Sequence, residues 1–177
     1  MPFGPPLSGA RVVLRAAIDG DAEARQLLGR DADITRMFGA AHPSSGPMSS
    51  AAAAAWFERL GEAGSVEWVV ETEGQFLGTA RLHSFDDDAS ARYAVGFFDP
   101  YRLGHGFGTE VTKIVVEYAF SSLGLRRLEL AVLEFNERAI RCYSRCGFRR
   151  VRHLSEVTLI DGSRMEIAEP VRQAHPV

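Results

Sequence analysis

V-G-F-F-D-P-Y-R-L-G-H-G-F-G-T-E-V-T-K-I-V-V-E-Y-A-F, residues Val95 to Phe120, joins a strand end, a glycine loop and a helix in one run. The apolar segment Tyr93 to Phe98 stops at Asp99-Pro100, because proline cannot continue a strand ladder. Gly104, Gly106 and Gly108 follow at alternate positions. Phe107, Val111, Ile114, Val115, Tyr118 and Ala119 then recur at helical spacing, which predicts an amphipathic helix. Thr112, Lys113, Glu117 and Ser121 fall on its other face, and Gly124 marks its end. A glycine loop opening a helix lets backbone N–H groups gather around an anion, so the stretch reads as a pyrophosphate cradle.

Two common nucleotide motifs do not fit. A dinucleotide loop needs G-x-G-x-x-G, and here the third glycine arrives one residue early, with Thr109 in its place. A Walker loop needs Gly-Lys-Ser/Thr, a tripeptide this chain lacks.

The 177 residues suit a single domain, read as residues 10–170, with 1–9 a loose lead-in and 171–177 a tail. The apolar and charged fractions, 46% and 24%, are those of an ordinary globule. A net charge of −3 without a basic stripe argues against nucleic acid as partner. No apolar run approaches a membrane span, and Met1 to Ser8 does not read as a signal peptide, which points to the cytoplasm. Cys142 and Cys146, four apart on a predicted helix, read as reduced thiols, and no metal site is expected.

Strands are expected at Arg11–Arg15, Glu67–Glu73, Gln75–Phe85, Ala91–Phe98, Arg127–Leu133, Phe148–Leu154, Glu156–Ile160 and Met165–Ala168. The hairpin signals are Glu73-Gly74 and Asp161-Gly162. Helices are expected at Ala22–Leu28, Ala32–Phe38, Ala51–Leu60 capped by Ser50, and Glu137–Arg145 capped by Asn136. Trp56, Phe57 and Leu60 should face the core. Hairpins mixed with helical crossovers predict an α/β chain of α+β type, a mixed and mostly antiparallel sheet with helices on both faces.

The order strand, glycine loop, helix resembles motif A of the GNAT superfamily of acetyl-CoA-dependent N-acetyltransferases. The family's Gln/Arg-x-x-Gly-x-Gly/Ala falls on Leu103-Gly104-His105-Gly106-Phe107-Gly108, with Leu103 where the family has Gln or Arg. Leu130 to Phe148 resembles motif B through Asn136, Ala139, Tyr143, Gly147 and Phe148. The segments around Val12–Ala16 and Trp56–Leu60 resemble the RimJ/RimL-like branch.

The resemblance implies acetyl-CoA as co-substrate, held by Phe97, Phe98, Leu103, Gly104, His105, Gly106, Phe107, Gly108, Thr109 and Asn136. It implies Tyr143 as the general acid for the departing thiolate, and an oxyanion held by a backbone N–H of the strand ending at Phe98. The acceptor would be a primary amine, on a small molecule or a protein N-terminus, attacking directly. Family members are often homodimers.

Many relatives carry a glutamate on the strand before the glycine loop. Here that strand, Tyr93 to Phe98, has no carboxylate, and His83, Asp86 and Glu67 are candidate bases by residue type only. The missing base motivates one alternative, an acyl-CoA-binding regulatory module without catalysis. A second is an acyltransferase for longer chains, with Phe97 and Phe98 lining the acyl slot.

Overall fold

The computed structural model describes residues 3–154 and 165–170. Among the described residues one sheet carries eight strands: β1 (Leu7–Ser8), β2 (Val13–Arg15), β3 (Val66–Thr72), β4 (Gln75–His83), β5 (Ser90–Phe97), β6 (Arg127–Leu133), β7 (Phe148–Leu154) and β8 (Met165–Pro170). Their order is β1-β2-β3-β4-β5-β6-β8-β7. Every neighbouring pair is antiparallel except β5 and β6. The sheet is therefore mixed and mostly antiparallel, as expected. The Glu156–Ile160 strand and the Asp161-Gly162 turn lie outside the described residues.

Five α-helices among the described residues join the strands: α1 (Gly20–Leu28), α2 (Ala32–Met37), α3 (Ser50–Glu58), α4 (Phe107–Ser121) and α5 (Glu137–Arg145). Trp68 of β3 rests edge-on against Tyr118 of α4, and Phe76 of β4 against Trp56 of α3. Phe76 pairs across the ladder with Glu71, three residues from Trp68, so the two rings leave opposite faces. The main core lies under α4, where Val12, Leu14, Trp68, Val70, Leu77, Leu82, Val111, Val115 and Leu128 are buried together.

Several local details depart from the sequence reading. Ser49, not Ser50, caps α3, its side chain accepting from the Ala52 N–H at 3.2 Å. Ala53 is the buried residue of that helix, while Trp56, Phe57 and Leu60 are half-buried. Helix α1 starts at Gly20, because the Asp21 carboxylate accepts from the Ile18 N–H and pairs with Arg15. Thr112, expected on the solvent face of α4, is fully buried, and its hydroxyl meets that of Tyr93 at 3.0 Å. Helix α5 packs beside α4 and widens the covered arc of that helix. Residues 3–9 are seated on the sheet: Leu7–Ser8 pairs with β2, Gly4 N–H donates to Glu67, and the Trp68 indole donates to the Pro5 carbonyl.

The feature that positions the site is a break between β5 and β6. Their parallel register pairs Ser90 with Arg127, Ala91 with Leu128 and Arg92 with Glu129, and goes no further. Both strands continue, β5 to Phe97 and β6 to Leu133, so their C-terminal halves are unpaired on these facing edges.

Candidate active site

A cavity of about 570 Å³ occupies the gap between β5 and β6. Its walls are the C-terminal half of β5, residues Ala131 to Leu133 of β6, the glycine loop, the start of α4, and α5. Ile34 and Met37 of α2 and Phe38, its C-cap, also line it.

The glycine loop is built by local chemistry. Asp99 accepts from the Tyr101 N–H at 2.9 Å and caps a single 3-10 turn, Pro100–Arg102. Arg102 is tied back to the β3–β4 turn through Glu73 at 3.3 Å and to β4 through Gln75 at 3.1 Å. Gly104 and Gly106 then take φ of 83° and 88°, the left-handed region that disfavours a side chain. Glu110 N–H is the first of α4 to find the intrahelical carbonyl, that of Gly106. The N–H groups of Phe107, Gly108 and Thr109 precede it and have no such partner. Arg11 steadies the turn: its guanidinium donates to the His105 carbonyl at 3.0 Å and pairs with Glu110 at 3.0 Å.

Most of the residues expected at the cofactor site line this cavity: Phe97, Leu103, Gly104, Gly106, Phe107, Gly108, Thr109 and Asn136, together with Tyr143. Two do not. The His105 ring turns away onto the Leu103 carbonyl, its Nδ1 3.0 Å from that oxygen. Phe98 leaves the opposite face of the sheet, stacked on Phe76 and edge-on to Trp56, because strand residues alternate sides. The Phe97–Phe98 acyl slot is therefore not assembled. The Phe98 N–H is also taken, by the Leu77 carbonyl at 3.1 Å. Amide direction alternates along a strand edge, so the N–H groups of Val95 and Phe97 are the ones that face β6 and the cavity.

Two tyrosines line the cavity and differ in commitment. The Tyr93 hydroxyl is held by Thr112. Tyr143 packs its ring on Tyr93 and Phe148, and its hydroxyl is bonded to no other described residue. Burial pushes both phenols above their usual range, so each stays protonated at neutral pH. Asn136 caps α5, its side chain accepting from the Ala139 N–H at 3.1 Å. Cys142 faces the Thr109 hydroxyl at 3.6 Å. Hydrogen bonds from the Cys146 thiol, then from Thr109 and Thr112, make it the more acidic of the two cysteines.

None of the three candidate bases reaches the cavity. Glu67 is buried under the loop after α3, accepting from the Gly61 N–H at 2.9 Å, and burial raises its pKa. His83 pairs with Arg92 in the ladder, at the start of β5, and its pKa is lowered by burial. Asp86 closes its own turn onto Ser90. Among the described lining residues there is no Asp, Glu or His.

Sequence reasoning missed the contribution of α2, which meets the cavity only through tertiary packing. Arg138, Arg141 and Arg145 of α5 also line it. Their i, i+3, i+7 spacing is a one-face signal visible in the sequence.

Residues 11–149 match the family model described as an acetyltransferase (GNAT) domain. The chain belongs to the GNAT acetyltransferase family. It is 28% identical to the uncharacterized N-acetyltransferase YoaA of Bacillus subtilis over 149 residues, 82% of this chain and 84% of that one. It is 30% identical to the spermidine N(1)-acetyltransferase of Escherichia coli over 96 residues, 54% of this chain and 51% of that enzyme. In fold it is similar to the Vibrio cholerae spermidine N-acetyltransferase solved with CoA and spermine, with a TM-score of 0.73, 22% identity, and 91% and 95% of the two chains covered. The Microcin C7 self-immunity acetyltransferase MccE, solved with acetyl-CoA and AMP, gives a TM-score of 0.78 at 15% identity over 93% and 94%.

As a GNAT enzyme the chain transfers acetyl groups from acetyl-CoA. The residues present suit that co-substrate: a cradle of free N–H groups for pyrophosphate, arginines on α5 for phosphate charge, and a cavity within the usual range for small-molecule sites. Among the described residues no His, Cys, Asp and Glu cluster could hold a metal ion, and no helix is long and apolar enough to cross a membrane.

Proposed function

We propose that residues 10–170 act as one domain that acetylates a weakly basic primary amine, an α-amine of a small molecule or of a protein N-terminus. The observation that carries this reading is the cavity between β5 and β6, with a phosphate cradle at its mouth, a protonated phenol in its wall and no carboxylate or imidazole among its described lining residues.

Residue roles follow from that arrangement. The N–H groups of the Gly104–Thr109 turn and the first turn of α4 hold the pyrophosphate, and Asn136 contacts the pantetheine arm. Acetyl-CoA supplies an activated thioester carbonyl. The amine nitrogen bonds to that carbon as the carbon–sulfur bond breaks. The N–H groups of Val95 and Phe97 face the oxygen that gains charge. Tyr143 gives its proton to the departing sulfur, the surplus amine proton goes to solvent, and Tyr143 takes a proton back from solvent.

Basicity selects the acceptor. An α-amine with pKa near 7.7–8.0 is roughly a tenth neutral at pH 7, whereas a lysine near 10.4 is neutral about once in 2,500. A site with no carboxylate or imidazole among its described lining residues is better matched to the first. The resemblance to the RimJ/RimL-like branch points the same way.

Calorimetric titration with acetyl-CoA, followed by an amine panel, tests the reading. Wild type should bind in the micromolar range and acetylate α-amines. Gly106→Asp, which puts bulk and negative charge into the cradle, should lose binding. Wild type that does not bind acetyl-CoA would falsify the cradle, and acetylation of lysine side chains with α-amines inert would overturn the acceptor.

A further inference from the structure

The acceptor end of the cavity carries its own chemistry. Its wall there is Ile34, Met37 and Phe38, together with Leu133 of β6. Phe38 is 55% exposed, although the rest of its surroundings fixes it in place. Its ring lies 6.0 Å from that of Phe98, and a Cβ built on Gly96 would fall 2.8 Å from its edge. The ring is thus backed by β5 on one side and bare on the other, within the cavity wall. Leaving a large ring in water is unfavourable, and an apolar group laid against it removes that surface.

Charge at the site points the same way. Four arginines, Arg102, Arg138, Arg141 and Arg145, line the cavity, and none of its described lining residues is Asp or Glu. Arg138 sits on the α2 side, where it reaches Asp33 at 3.6 Å, so that carboxylate is already engaged. A second ammonium entering this cavity would be stripped of water and would find no carboxylate among the described lining residues to pair with.

Resting on the acetyl-transfer reading above, we infer that the acceptor is a monoamine with an apolar or aromatic group beside its reactive nitrogen and no second positive charge. Phe38 is the residue that selects it. Polyamines, the substrates named for the spermidine acetyltransferases this chain is similar to, are then poor acceptors.

The test compares phenylalanine amide, glycine amide and spermidine with the full chain at saturating acetyl-CoA, following release of the CoA thiol. Phenylalanine amide and glycine amide share the same kind of α-amine, so their ratio isolates the ring. The expected kcat/KM for phenylalanine amide is about tenfold or more above each of the others. Phe38→Ala should collapse the phenylalanine-to-glycine ratio toward one, mainly through KM, with acetyl-CoA affinity unchanged. Equal rates for the two amides, a ratio indifferent to Phe38→Ala, or spermidine as the best acceptor each overturns the inference and leaves N-acetyl transfer standing. Binding of acetyl-CoA with turnover of none of the three overturns both.

Discussion

Tyr143 and Tyr93 stand side by side in the cavity wall, and one hydrogen bond separates their roles. The Tyr93 hydroxyl is committed to Thr112, inside the fold. The Tyr143 hydroxyl has no such partner among the described residues, and burial keeps it protonated. Tyr143→Phe removes only that hydroxyl and leaves the ring packed on Tyr93 and Phe148. The expected result is a fall in kcat of about 10²–10⁴-fold with little change in acetyl-CoA affinity or thermal midpoint. Tyr93→Phe should show the reverse pattern, a loss of stability with kcat largely kept, and steady-state rates beside melting curves separate the two. At this scale the sequence was readable where function depends on near neighbours. Gly104 and Gly106 are two residues apart, and Asn136 and Tyr143 are two helical turns apart. Arg11 and Phe38 were not readable, because Arg11 meets Glu110 from 99 residues away and Phe38 reaches β5 across the sheet. Phe98 misled because neighbouring strand side chains leave opposite faces, and His105 because its ring turns back onto the Leu103 carbonyl of its own loop.

Single elements were legible wherever a period and a cap agreed. Helix α5 runs from Glu137 to Arg145 with Asn136 as its cap, as the sequence indicates, and the α4 glycines open that helix. Thr112 escaped because a two-sided helix buries a wider arc than a single apolar stripe. Strand β3 carries the clearest energetic anomaly. Glu67 is only 5% exposed, and burial raises its pKa, against which the Gly61 N–H acts. A carboxyl whose folded pKa is raised binds its proton more tightly in the folded state, so stability falls as pH rises from the unfolded to the folded pKa. Glu67→Gln keeps an acceptor for Gly61 and removes the charge. At pH 7 the variant should be the more stable, with the higher Tm. The gap should close on acidification, as the wild-type side chain becomes neutral. Melting curves from pH 4 to pH 8 check this, and a constant gap would exclude charge burial as its cause.

On the scale of the whole molecule, the sheet is joined at its middle by the short β5–β6 ladder alone. The two halves also meet through α4, α5 and the loop from Gly104, which the co-substrate would bridge. Ligand that binds only the folded state adds stability by mass action, about 2.7 kcal/mol at a hundredfold excess over Kd. For a chain of this size the expected rise in Tm is about 5–10 °C, and Gly106→Asp should abolish it. The mixed sheet itself could be read in advance, since hairpin signals and helical crossovers occur in one chain. Where its ladder stops could not, because pairing ends through the geometry of strands 37 residues apart. That early stop has a consequence for hydrogen exchange. Along β5 the even-numbered amides, among them Gly96 and Phe98, are directed at β4, while Val95 and Phe97 present theirs to an unpaired edge. Deuterium should therefore enter β5 in alternation, fast at Val95 and Phe97 and slow at the residues between them. Acetyl-CoA should convert that striped pattern into uniform protection.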